Sequence, residues 1–287
     1  MGRIRIVTDS VARYAQPELL TRYPVTIVPM HVDVGGRLVE DTPGQEPWEV
    51  LPVGDGALGL PRLVAPSVDT MTNVYAQLLR ETDQILSIHS TARVSAAVTN
   101  ATLASQNFRG RCEIQVVDSQ SLSVGQGLLV EAAAEAAARG ESYDEVVRIV
   151  RGMIPRLYMV FFLQDLAYLE RLGQISRSQA ILGNMLGIIP FLTFEDGDVT
   201  PMEKVRSRPR AVEKLVEFVS EFAHIEHLAI LHSGPQPTDE SLVVAERLQA
   251  LHPRMRIPLT SYGLSTAACI GPESLGVVVL EAEEEAV

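Results

Sequence analysis

The sequence predicts an α/β protein, with an N-terminal domain on a parallel doubly wound sheet and a C-terminal α/β domain on a mixed or antiparallel sheet. Two observations carry this. In the first half, short β-branched runs alternate with helical stretches, as buried parallel strands require. In the second half, strands gather around the turn Glu195-Asp196-Gly197-Asp198, whose Asp-Gly pair signals a hairpin. A third observation places the functional surface. Four apolar runs end at polar pairs: Asp9-Ser10, His89-Ser90, Asp118-Ser119 and His232-Ser233. Ligands of open α/β sheets sit beyond the carboxyl ends of the strands, where these pairs fall.

Each element has its own local reason. A strand over 4–8 leads to a short helix after Pro17 and a strand over about 25–32. Gly35–Pro66 is too long for a routine connector and is read as a surface excursion. Ser67 caps a helix that places Met71, Val74, Tyr75, Leu78 and Leu79 on one face. The third strand ends at His89, a helix of small residues runs over 95–107, and the fourth strand ends at Asp118. An Ala-rich helix over 127–139 stops at Gly140, and Ser142 with Glu145 reads as a capping box for the next helix. Beyond a boundary near 153, strands are expected at 157–163, 188–194, 228–232, 256–261 and 277–281. Helices are expected at 165–172, 176–186, 209–223 and 238–251. The domains are thus 1–152 and 153–287.

Composition narrows the function. A net charge of −12 disfavours nucleic acid, which is held chiefly by Lys and Arg on phosphates, and anionic membrane surfaces. Cys112 and Cys269 are too few for a disulfide framework or a metal knuckle, which fits a reduced cytoplasmic setting. No apolar run approaches the ~18 residues of a membrane span, and no secretory signal is visible at the N-terminus. The chain is therefore expected to be cytoplasmic and not membrane-integral. Glycine-rich dinucleotide turns, P-loops, H-E-x-x-H and G-x-S-x-G are missing, so no cofactor or metal is implied. Asp9, His89 and Asp118 are either acid/base groups of a crevice enzyme or residues that tie down loops.

Read in order, I-V-T-D-S (6–10), S-I-H-S-T (87–91), V-V-D-S-Q-S (116–121), L-E-R-L-G-Q-I-S (169–176), K-V-R-S-R (204–208) and I-G-P-E-S-L-G (270–276) carry a resemblance over the full length. The chain resembles the DegV family, which includes the fatty-acid-binding subunits of fatty acid kinase. The resemblance implies two domains clamping a long-chain fatty acid in an apolar tunnel, with its carboxylate at the mouth. It implies a carrier without catalysis, and for some members a separate kinase partner that phosphorylates the carboxylate. The residues suit such a tunnel: Leu166, Leu169, Ile181, Leu182, Met185, Leu186, Ile188, Ile189 and Phe191 supply ample apolar surface. Core packing alone accounts for them equally well. Burial gives ~0.8 kcal/mol per methylene, so a long chain binds with little help at its head.

The head site departs from the family. Its T-S-Q-P-S segment matches Leu63-Val64-Ala65-Pro66-Ser67, which loses both hydroxyls. Its S-S-G-L-S-G segment matches Thr91-Ala92-Arg93-Val94-Ser95-Ala96, which keeps Ser95 and adds Arg93. Arg93 either pairs with a ligand carboxylate or is solvated. Arg206 retains the arginine of the K-V-R motif, whereas Cys269 stands in place of a family histidine. Cysteine lacks imidazole's paired nitrogens and near-neutral titration, so service to a kinase is disfavoured and a small buried apolar role favoured. The expected ligand-binding set is Leu63, Val64, Ala92, Arg93, Ser95, Arg206 and Cys269, with Leu166 and Ile189 lining the tunnel. The alternatives are a ligand-free regulatory or scaffold paralogue, and an enzyme using Asp9, His89, Asp118 or Cys269.

Overall fold

The computed structural model describes residues 4–16, 18, 23–42, 47–51 and 60–283. The short helix expected after Pro17 lies outside the described residues. Four parallel strands form the first sheet: β1 (Arg5–Asp9), β2 (Val25–Val28), β6 (Gln84–His89) and β7 (Glu113–Asp118), in the order β2-β1-β6-β7. The order reverses between β1 and β6. That reversal is the switch point at which such sheets open a crevice.

Both faces of this sheet are covered, because successive side chains point to opposite sides. Val7, Val28 and Ile85 meet Met71 and Tyr75 of α2 (Val68–Leu78) and Ala101 and Ala104 of α3 (Ala97–Ser105). Ile6, Leu86 and Ile88 meet α4 (Ser123–Arg139) and α5 (Tyr143–Met153). Local caps act as the sequence predicts. Ser67 accepts from Thr70 N at 3.1 Å, and Gly140 ends α4 at φ +84°. Ser142 accepts from Glu145 N at 3.3 Å, but the Glu145 carboxylate pairs with Arg148 at 2.8 Å instead of completing a capping box. The Tyr143 hydroxyl donates to Ile85 O at 2.6 Å and accepts from Gln115 N at 2.8 Å, which places it between β6 and β7.

The strand expected over 25–32 is two strands. β2 stays in the parallel sheet, whereas β3 (His31–Val34) turns into a separate three-stranded antiparallel sheet, order β4-β3-β5. The break falls at Pro29, which has no N–H to continue a ladder. β4 (Arg37–Glu40) and β5 (Arg62–Val64) complete it, with α1 (Pro47–Val50) between them. The Gly35–Pro66 excursion therefore holds structure of its own, with Val32 and Val39 buried in the main core.

The second sheet is mixed, in the order β10-β9-β8-β13-β11-β12. It comprises β8 (Leu157–Phe162), β9 (Ile189–Glu195), β10 (Asp198–Val205), β11 (Ile225–His232), β12 (Leu259–Ser261) and β13 (Leu275–Glu281). Its pairs are antiparallel except β11–β12. The outer face buries Val160, Phe162, Val277 and Val279 against α8 (Arg208–Ser220) and α9 (Asp239–Leu251). The inner face presents Met159, Phe161, Val278 and Leu280 to α4 and α5. α4 thus lies between the two sheets. A helix apolar on all sides is stable only where it is enclosed, and small residues let both layers close on it. A methyl on Gly127 would stand 1.8 Å from Arg13 O, and one on Gly125 would stand 2.1 Å from Ser121 Oγ.

Three further helices cover the junction: α6 (Ala167–Arg171), α7 (Arg177–Met185) and α10 (Leu264–Ile270). α10, which carries Cys269, was not expected from sequence. The two halves share one contiguous core, joining Leu128 and Leu129 of α4 to Leu163, Leu169, Leu264 and Cys269.

Candidate functional site

At the switch point, β1 and β6 end in Asp9 and His89, both fully buried. One Asp9 oxygen accepts from Val11 N at 3.1 Å and Gln126 Nε2 at 3.0 Å. The other lies 3.1 Å from His89 Nδ1 and accepts from Ser90 N at 3.0 Å. His89 Nε2 continues to Ser87 Oγ at 2.8 Å, and Ser87 to the Tyr75 hydroxyl at 2.8 Å. Burial alone would raise the Asp9 carboxyl. The hydrogen bond and charge of His89, with the bonds from Gln126 and Ser90, hold it below its ordinary value instead. Asp118 is likewise occupied, accepting from Ala92 N at 3.1 Å and Gln120 N at 2.9 Å. These groups tie the strand ends together.

Ser95 sits above this network, 3.4 Å from Ser90 Oγ, and accepts from Ala97 N at 3.2 Å. Arg93 Nε lies 3.3 Å from Asp198 of the β9–β10 turn, so its partner is a carboxylate of the protein itself. Leu63 and Val64 are half-buried on β5, and α10 packs against β5, β3 and α6. The structure thereby brings the Leu63–Val64 segment and the Cys269 helix together. Cys269 is 2 % exposed, and burial pushes its thiol up to about 11 against the opposing charge of Arg171. It is a buried neutral thiol.

Arg171 is the residue that motif reading missed. It lies on α6, stacked 5.3 Å from the Tyr168 ring centroid, and Nη2 donates to Ala268 O and, at 3.4 Å, to Cys269 O. Its Nη1 is out of contact with solvent and has no hydrogen-bond partner. Burial lowers its pKa, partly offset by Cys269 and Tyr168. A buried guanidinium nitrogen without an acceptor is costly, and a carboxylate is the geometry it matches. The only sequence signal was the arginine inside L-E-R-L-G.

The remaining residues lie elsewhere. Arg206 is exposed and lines a cavity of about 480 Å³ with Ile189, Asn184 and Arg208. Ile189 belongs to the outer core with Phe191 and Val212. Leu166 is 7 % exposed and supports α7, where a methyl on Gly183 would stand 2.9 Å from its Cδ2. Asn184 holds α7 down, accepting from Leu166 N at 3.1 Å and donating to Asp165 at 2.8 Å. The apolar set assigned to a tunnel lining is partly turned outward: Ile181, Leu182, Met185 and Leu186 are exposed. Among the described residues no metal-binding cluster occurs, and no helix is long and apolar enough to cross a membrane.

The fold and this corner define a three-sheet α/β protein in which one buried guanidinium nitrogen, Arg171 Nη1, is left without an acceptor beside the Cys269 helix. The chain belongs to the DegV family, described as uncharacterised proteins, whose sequence profile matches residues 3–282. It is 29 % identical to a DegV domain-containing protein of Caldanaerobacter subterraneus, over 96 % of this chain and 98 % of that one. Among solved structures, a fatty-acid-binding DegV family protein from Thermus thermophilus superposes with a TM-score of 0.83 at 29 % identity, covering 98 % of this chain and all of that one. A fatty acid binding DegV family protein from Streptococcus agalactiae, at 23 % identity, shares the fold with a TM-score of 0.85 over 99 % of this chain and 100 % of the other.

Proposed function

We propose that this protein is a lipid-binding protein that holds a long-chain fatty acid, or a related acyl ligand, between a lobe of residues 1–152 and one of residues 153–287. The observation that carries the reading is Arg171 Nη1, a buried donor beside the Cys269 helix with no acceptor of its own. A ligand carboxylate supplies that acceptor, and Ser95, beside Ser90 at the carboxyl end of β6, is the second donor in this reading. The fatty-acid-binding relative from Thermus thermophilus supports the same ligand class. The acyl chain lies under α6 and α7. The chain is admitted when α7 lifts. That helix buries little of its apolar surface, which makes it the least costly part of the cover to displace.

Binding rather than turnover is favoured because Asp9 and His89 are spent on each other, out of reach of solvent. Free Cys112 and Cys269 suit work in the cytoplasm. Presentation of the carboxylate to a separate ATP-using kinase is the finer form of this reading. The buried neutral thiol at 269 weighs against it.

Native mass spectrometry of freshly purified protein should reveal a co-purified fatty acid, and delipidated protein should take one up stoichiometrically. Arg171→Leu should weaken uptake by about tenfold or more, the worth of a charged hydrogen bond. Failure of the parent to carry or accept any fatty acid would overturn the proposal.

A further inference from the structure

The β9–β10 turn does more than reverse the chain. Asp196 at φ +49° and Gly197 at φ +83° drive it into the carboxyl ends of the parallel strands, where it meets the loops after β6 and β7. There the Thr91 hydroxyl, fully buried, donates to Gly197 O at 2.9 Å and accepts from Arg93 N at 3.3 Å. Thr91 O accepts from Val94 N at 3.2 Å, and Thr91 N donates to Ser121 O at 3.1 Å. One hydroxyl therefore fixes the hairpin and also the tight turn that presents Ser95. Contact is close enough to forbid a side chain: a methyl on Gly197 would stand 2.4 Å from Thr91 Oγ1. Outside it, the exposed Arg93–Asp198 pair spans the same seam.

We propose that the β9–β10 turn is a latch on the head-group segment, with Thr91 and Gly197 as positioning residues that set how fast a ligand leaves. This rests on the fatty-acid reading above. With the latch closed, the turn over 91–94 is held and Ser95 keeps its place. With it open, the segment loosens and the carboxylate loses a donor. Arg93–Asp198 adds a weaker, salt-sensitive hold, since exposed pairs are screened.

The test measures release of a fluorescent long-chain fatty acid displaced by excess palmitate, alongside hydrogen exchange of the segment 195–199. Thr91→Val should speed release about fivefold, the equivalent of one neutral hydrogen bond, with faster exchange in the turn. Thr91→Ser, which restores the hydroxyl, should return both to the parent values, a rescue that loss of packing alone would not produce. Arg93→Ala should speed release about twofold at low salt and less at high salt. If Thr91→Val frees the turn by hydrogen exchange yet releases ligand at the parent rate, the latch is wrong. Should Thr91→Val fail to fold, an unchanged release rate in Arg93→Ala at low salt overturns it. A parent that takes up no fatty acid instead sinks the ligand assignment. The latch then stands or falls on whether Thr91→Val alone opens 195–199 to exchange.

Discussion

Glu131 offers the sharpest test of how this fold handles charge. It sits on α4, only 5 % exposed, beside a cavity of about 460 Å³ where the end of α5 meets Arg156 and His227. Its carboxylate accepts from Gln16 N at 2.8 Å and so fastens the loop after β1. Burial, reinforced by the charges of Glu135 and Glu18 against the backbone bonds from Gln16 and Ala15, pushes its pKa from 4.5 up to about 7. A raised carboxyl means the unfolded chain gives up its proton first, so stability falls as pH rises between the two values. The full difference is ~3 kcal/mol, of which roughly 2–3 kcal/mol is lost between pH 5 and pH 8. Glu131→Gln keeps an acceptor for the backbone but cannot ionise. Urea unfolding of parent and variant across this range should show a stability gap that widens with pH in favour of the variant. A gap that stays constant would show that Glu131 ionises as freely in the folded state as in the unfolded one, refuting the argument.

Three other perturbations have definite expected outcomes. Gly263→Ala should cost about 1–3 kcal/mol of stability in denaturant melts, because a methyl there would stand 1.3 Å from the Arg13 guanidinium, which is tied to Asp41. Asp9→Asn should cost roughly 1–3 kcal/mol, because the buried donors that converge on the carboxylate, from Ser90 N, Gln126 Nε2 and Val11 N, meet a poorer acceptor. Since the Asp9 pKa is lowered, its contribution is present above the ordinary value of 3.8 and lost as pH falls through the folded one. Acid unfolding of the parent should therefore steepen below about pH 4 and flatten in the variant. The variant Cys269→His, Leu63→Thr, Val64→Ser should gain acyl-phosphate formation with a fatty acid kinase relative to the parent. No gain would count against the correspondence of these positions.

The parallel strands were legible because each is a short β-branched run, and the caps at Ser67, Ser142 and Gly140 because each is a local backbone device. α10 was illegible for the opposite reason. Its residues Leu264–Ile270 are all buried, so no polar face marks a helical period, and Gly263 before it has no capping side chain. The three-stranded sheet had a signal that went unread: Gly35-Gly36 between Val34 and Arg37, both at positive φ, joins β3 to β4. Of the site, Leu63, Val64 and Cys269 were placed by motif order, and the structure sets their elements side by side. Arg93 was open between pairing with a ligand carboxylate and standing in solvent, and the structure shows it exposed and paired with Asp198. Its partner Asp198 is remote in sequence, and only the folded hairpin brings it near. Arg171 escaped for a related reason, since an arginine's missing acceptor is invisible until the fold encloses it.

The Tyr143 hydroxyl bridging Ile85 O and Gln115 N has a mechanical consequence. Part of the hold between β6 and the edge strand β7 passes through a side chain of α5. Pulling α5 off the sheet would unbutton that end of β7 as well, so strand and helix should be lost together under force and recovered together on refolding.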